Sequence, residues 1–151
     1  MTALDAGCGA GFASVGLARL VGDRGVVIAA DLQPEMLRMV DQRAAKAGLG
    51  NIIRTHQCQA NRIGVQDKLD FAVAFWMVHE VPDRRALLQE VFDLLKPGGH
   101  FLIAEPKFHT SHPDFEQAIR EAEEVGFRVS KRPGVRFSRA VLLQKERRQS
   151  A

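Results

Sequence analysis

Two kinds of hydrophobic patterning alternate along this chain. Residues 25–30, GVVIAA, and 100–105, HFLIAE, are apolar runs without the in–out alternation of a half-exposed strand, as expected of strands buried on both faces. Residues 3–6, 52–58 and 69–76 predict three further strands. Between these runs, apolar positions recur at helical spacing. Residues 12–21 follow the first strand as a helix. Pro34 suits a first helical turn, and Leu37, Val40, Ala44 and Ala47 then form a stripe that Gly48 stops. Asp83 is a good N-cap for a helix carrying Leu87, Leu88, Val91, Leu94 and Leu95 on one face, and KPGG at 96–99 predicts the turn that ends it. Residues 111–114, SHPD, read as a capping box ahead of a stripe of Phe115, Ala118, Ile119 and Ala122 that Gly126 stops. Two late strands, about 127–132 and 137–144, close the chain.

Strands and helices are thus predicted to alternate five times before a closing pair of strands. The expected architecture is α/β: a doubly wound, Rossmann-like, mostly parallel sheet of about seven strands with helices on both faces. No repeat, low-complexity tract or linker interrupts the 151 residues, so residues 1–151 are expected to form one domain. A composition of 46% hydrophobic and 26% charged residues fits a globular core. No apolar run approaches the roughly 20 residues that span a bilayer. Cys8 and Cys58 are too few and too far apart for a disulfide scaffold or a zinc site, and no metal site is expected. A reducing, cytoplasmic setting is expected.

The net charge of +3 divides unevenly. Residues 1–127 carry 13 Lys and Arg against 17 Asp and Glu; residues 128–148 carry eight Arg and Lys against Glu146 alone. A basic end can meet an anionic partner, but it more often forms the solvated face of terminal strands. Nucleic acid is therefore not the expected partner.

The densest chemical signal is LDAGCGAGF at 4–12, where Gly7, Gly9 and Gly11 directly follow the first strand. In a doubly wound sheet, ligands bind beyond the carboxyl ends of the strands, and the first strand–helix turn is their usual cradle. Glycines there adopt backbone angles closed to other residues and let a ligand approach the main chain. The dinucleotide pattern G-x-G-x-x-G fails in both registers, because Phe12 and Ser14 stand where the third glycine belongs. Asp31, ending the second strand, suits a ribose diol, since a hydrogen bond to an ionised acceptor contributes about 1.5–3 kcal/mol.

Four stretches in order and register, ALDAGCGAG, AADLQPEML, LDFAVAFWMVHEVPD and LLKPGGHFLIAEP, resemble the class I S-adenosylmethionine-dependent methyltransferases. The similarity is strongest to the small-molecule branch that includes quinone-biosynthesis C-methyltransferases, and it runs from about Leu4 to Lys145. The resemblance implies S-adenosyl-L-methionine as cofactor and a small-molecule methyl acceptor. It implies that Gly7, Gly9 and Gly11 admit the methionine portion, with Asp5 helping to hold its amino group. Asp31 would bond the ribose hydroxyls, Leu32 would pack on the adenine, and the loop after the third strand would meet the adenine edge through the main chain near Ala60. Phe75 would lie beside the reacting methyl. Gln59 stands where family members commonly have Asp, and its amide oxygen can accept the same hydrogen bond. Family members also carry a few tens of residues before the first strand, which cover the cofactor; here the strand begins almost at Met1, so the domain reads as N-terminally short. A sheet face or cofactor cleft left open in this way predicts self-association.

A base is needed only where the acceptor must lose a proton. Candidates cluster where the fourth and fifth strands end: His79 and Glu80, then Glu105 and His109, with His79 and Glu105 the expected pair. The fourth strand runs into AFWMVHE rather than the N-P-P-aromatic motif of amino-directed nucleic-acid methyltransferases. Two other readings remain open on sequence alone: a non-catalytic cofactor-binding domain, and a nucleic-acid-directed relative that uses the basic end.

Overall fold

The computed structural model describes residues 1–147 and 149. Its elements run β1 (Thr2–Ala6), α1 (Phe12–Val21), β2 (Val26–Asp31), α2 (Pro34–Lys46), β3 (Ile53–Gln57), β4 (Leu69–Phe75), a 3-10 turn (Val78–Glu80), α3 (Arg84–Leu94), β5 (Leu95–Pro106), α4 (His112–Val125), β6 (Phe127–Lys131) and β7 (Ser138–Lys145). Seven strands form one sheet in the order β3-β2-β1-β4-β5-β7-β6. β1 to β5 pair in parallel, and β7 runs antiparallel to both β5 and β6. Strand order therefore reverses between β1 and β4, which is where such a sheet opens a crevice for ligand.

Helices cover both faces, as the alternating patterns predict. On one face Ala18, Val40 and Ala44 pack with Val27, Ala29 and Ile53 under α1 and α2. On the other, Leu87, Leu88 and Val91 of α3 and Phe115, Ile119 and Ala122 of α4 close over Leu4, Ile28, Ala72, Phe101, Ile103 and Leu143. The two cores are read from alternate residues of the same strands, which explains why those strands lack polar positions. α1 and α2 lie over β1, β2 and β3. Further along that face Leu102 of β5 pairs with Leu142 of β7, and both, with Phe71 of β4, remain half-buried.

The helix ends follow their sequence signals. Asp83 accepts a hydrogen bond from Ala86 N at 3.0 Å, and Ser111 Oγ accepts one from Asp114 N at 3.2 Å. Gly126 stops α4 at φ 129°, where a Cβ would also meet the Phe92 ring at 2.9 Å.

Two expectations are corrected. Helices alternate with strands four times rather than five; the loop expected after the third strand, residues 58–68, joins β3 directly to β4. That segment, CQANRIGVQDK, offers no apolar stripe for a helix. It is held instead by Glu90 of α3, which accepts from Ile63 N at 3.0 Å and Gly64 N at 2.9 Å, and by the His56 ring on Ile63 O at 2.8 Å. The second correction concerns KPGG. Leu95 already pairs with Leu69, and the next partners, Phe71 and His100, show the intervening residues bulging from a strand that began earlier than predicted.

The basic end is largely absorbed into the fold. Arg132 pairs with Glu116, Arg128 with Glu146, and Lys145 Nζ donates to the carbonyls of Phe92 and Leu95. Arg148 lies outside the described residues. Among the described residues, no helix is long and apolar enough to cross a membrane.

Candidate active site

The crevice at the carboxyl ends of β1, β2 and β4 is built around the loop of residues 7–11. Cys8 N donates to Ala30 O at 2.9 Å, tying the loop to β2. Gly7, Gly9 and Gly11 all have positive φ, at 68°, 53° and 93°, but their surroundings differ. A Cβ on Gly7 would strike the Met77 side chain at 2.9 Å, and one on Gly11 would strike Val40 at 2.9 Å. At Gly9 a Cβ would meet nothing within 4 Å. The outer glycines thus let α2 and the segment after β4 close on the loop, while the middle one leaves its backbone open to a ligand.

Asp31 reaches back across this loop. Its Oδ2 accepts from Gly9 N at 2.9 Å and its Oδ1 from Gln33 N at 2.9 Å. Beneath the loop Asp5 is 1% exposed, and Ser14 Oγ of α1 donates to its Oδ2 at 2.6 Å. Burial pushes the Asp5 carboxyl up from 3.8 to about 6; the Ser14 hydrogen bond opposes this rise and the Asp31 charge adds to it. The same burial raises the Cys8 and Cys58 thiols, so neither is a ready thiolate nucleophile.

Leu32 is 49% exposed beside Asp31. Gln57 Nε2 donates to Leu32 O and Cys58 N to Asp31 O, bringing the end of β3 alongside. Gln59 and Ala60 follow in an exposed turn closed by Gln59 N on Arg62 O at 2.9 Å. Asp31, Leu32, Gln59 and Ala60 therefore share one side of the crevice, although their segments are far apart in sequence.

On the other side, β4 and β5 end in a polar pair and an aromatic wall. Glu105, 3% exposed, accepts from Val78 N at 2.9 Å, His79 N at 3.1 Å and Thr110 Oγ1 at 3.2 Å, and lies 2.6 Å from His79 Nδ1. His109 stacks on His79 with ring centroids 5.7 Å apart. Phe75, 41% exposed, stacks on Trp76 at 5.3 Å, and Phe108 meets Trp76 edge-on at 5.5 Å. Trp76 is held at φ 57°, uncommon for a bulky residue, by its Nε1 donating to Ser138 Oγ at 2.7 Å. Trp76 belongs to the aromatic and Met-containing segment 75–77, whose composition fits an apolar small molecule. Phe108 was not among the sequence-predicted residues and joins only through the fold. No group of His, Cys, Asp and Glu among the described residues is arranged to hold a metal ion.

This crevice matches a known family. A methyltransferase domain model aligns with residues 1–144. The chain belongs to the methyltransferase domain family. It is 29% identical over 132 residues to the ubiquinone/menaquinone biosynthesis C-methyltransferase UbiE of Cronobacter sakazakii, covering 87% of this chain and 51% of that protein. It is 30% identical over 112 residues to the demethylmenaquinone methyltransferase of Oceanobacillus iheyensis, covering 74% of this chain and 45% of that one. The chain thus spans about half the length of these curated relatives. Among solved structures it superposes on a SAM-dependent methyltransferase from Aquifex aeolicus with TM-score 0.85 and 27% identity, covering 96% of this chain and 82% of that one. The family that the four sequence motifs resemble is the family the chain belongs to, and its sheet is the Rossmann-like methyltransferase sheet.

Proposed function

We propose that the chain, acting as one domain over residues 1–151, binds S-adenosyl-L-methionine and directs its methyl group to a small-molecule acceptor of the quinone-biosynthesis kind. The observation that carries this reading is the open backbone at Gly9 with the Asp31 carboxylate beside it. The residues fit the cofactor: Gly9 leaves room for the methionine portion, Asp31 has lone pairs left for ribose hydroxyls, and Leu32 offers an apolar surface to adenine. Two carboxylates, Asp5 and Asp31, favour a cation in the crevice. The cofactor supplies a sulfonium-bound methyl with a thioether leaving group, so the protein has mainly to align, orient and exclude water. Such alignment is worth up to about 7–11 kcal/mol when geometry is good.

The Phe75–Trp76–Phe108 wall supports an acceptor with a flat apolar body, since ring faces recognise ring faces at these separations. Titration calorimetry of the chain with S-adenosylmethionine tests the cofactor reading. Micromolar affinity is expected, and absence of binding by the folded chain would sink it. Release of S-adenosylhomocysteine with a reduced naphthoquinone tests the acceptor reading; cofactor binding without turnover would leave a cofactor-binding domain that does not catalyse. The half-buried Phe71, Leu102 and Leu142 are also expected to drive reversible self-association. Sedimentation velocity over a concentration series checks this, and one monomeric boundary at every concentration would refute it.

A further inference from the structure

The four hydrogen bonds to Glu105 separate its role from that of His79. An ionised carboxylate can only accept hydrogen bonds, and this one receives two backbone N–H groups and a threonine hydroxyl beside its contact with the imidazole nitrogen. At 3% exposure it is also out of reach of a substrate in the crevice. Yet its 2.6 Å contact with His79 Nδ1 requires a proton on that nitrogen. Neutral His79 therefore carries its hydrogen on Nδ1 and an open lone pair on Nε2, because the partner of one ring nitrogen sets the state of the other. The nearest carboxylate to Nε2 is that of Glu80, at 3.7 Å on a side chain 76% exposed. The His79 side chain is itself 22% exposed.

Its position adds the second half. His79 sits two residues beyond Met77, whose side chain a Cβ on Gly7 would strike. The turn that carries the imidazole thus adjoins the glycine loop, between that loop and the aromatic wall. The stacked His109 ring and the pair of bonds from Glu105 to the turn's own N–H groups hold it there.

Resting on the methyltransferase reading, we propose that His79 Nε2 is the proton acceptor of the reaction, that Glu105 is the positioning residue fixing its tautomer, and that the methyl acceptor is a weakly acidic O–H or enolisable C–H compound. As the new bond from the acceptor oxygen or carbon to the methyl carbon forms, the acceptor's proton passes to Nε2. The electron pair of the breaking carbon–sulfur bond stays on sulfur. The imidazolium is balanced by Glu105 and returns its proton to water. Buried carboxylates that orient an imidazole in this way serve the same logic on unrelated folds.

The test compares wild type with His79→Gln and Glu105→Gln. Imidazole nitrogen NMR at pH 8 is expected to show a protonated Nδ1 and a bare Nε2 at His79. In Glu105→Gln the side-chain amide is expected to donate to Nδ1 and move the proton to Nε2, a change that a purely structural role would not produce. With S-adenosylmethionine and a reduced naphthoquinone as the probe, both variants are expected to lose about a hundredfold or more in kcat. The KM for the cofactor should stay within about twofold, since neither residue is among those proposed to hold it. His79→Gln, at a partly exposed position, guards against misfolding of the buried variant. A proton on Nε2 in wild type, or an undiminished kcat in His79→Gln, overturns the proposal and leaves the methyltransferase reading standing. Failure of wild type to bind the cofactor overturns both.

Discussion

Asp31→Ala is expected to weaken S-adenosylmethionine binding by a hundredfold or more while leaving the sheet intact. Two effects combine. The ribose would lose an ionised acceptor, and each such hydrogen bond contributes about 1.5–3 kcal/mol. The glycine loop would also lose its clamp, because Asp31 Oδ2 is the acceptor for Gly9 N. Together they amount to about 3 kcal/mol or more, on the order of a hundredfold in affinity. Asp31→Asn keeps one acceptor oxygen without the charge and should fall between the two. Circular dichroism checks the fold and calorimetry the affinity. An Asp31→Ala chain that binds as wild type does would place the cofactor elsewhere than over this loop.

That expectation was available from sequence because its parts are local. Three glycines within five residues and a carboxylate at the next strand's end need no knowledge of the fold. The strands were legible for a related reason: burial on both faces removes polar residues, so GVVIAA and HFLIAE stand out from amphipathic neighbours. What escaped the sequence was made of distant parts. Trp76 keeps its left-handed backbone because Ser138, 62 residues on, accepts its indole hydrogen. Phe108 reaches the wall from the segment after β5. Glu105 and His79 were expected as a pair, but their unequal exposure and the two backbone donors that separate their roles are tertiary facts. The course of the loop at 58–68 escaped for a similar reason. Its stability comes from Glu90 on α3, so nothing within the segment marks its shape.

Asp5→Asn should stabilise the free protein at neutral pH and weaken its grip on the cofactor. Burial raises the Asp5 carboxyl to about 6 from an ordinary 3.8, so folding takes up a proton in that window. Relative stability from this group is fully present below pH 3.8 and is lost as pH rises through 6. The shift corresponds to about 3 kcal/mol between the extremes. Asparagine removes the buried charge, and its Oδ1 can still accept from Ser14 Oγ. Its amide hydrogens need partners there, which reduces the expected gain at pH 8 to about 1–2 kcal/mol. Near pH 4 the gain should vanish. A cationic ligand acts in the opposite sense, favouring ionised Asp5, so wild-type affinity should rise between pH 5 and 7 with release of a proton. Asp5→Asn should bind more weakly and lose that slope. Denaturant unfolding of both chains across pH, with calorimetry in buffers of different ionisation enthalpy, separates the effects. Taking the difference between the chains cancels the five histidines common to both. Equal stability at pH 8 and equal pH slopes would mean that Asp5 carries no strained charge. The opposite result would make the buried carboxylate a cost in the free fold that the cationic ligand relieves, coupling β1 and the glycine loop to occupancy of the crevice.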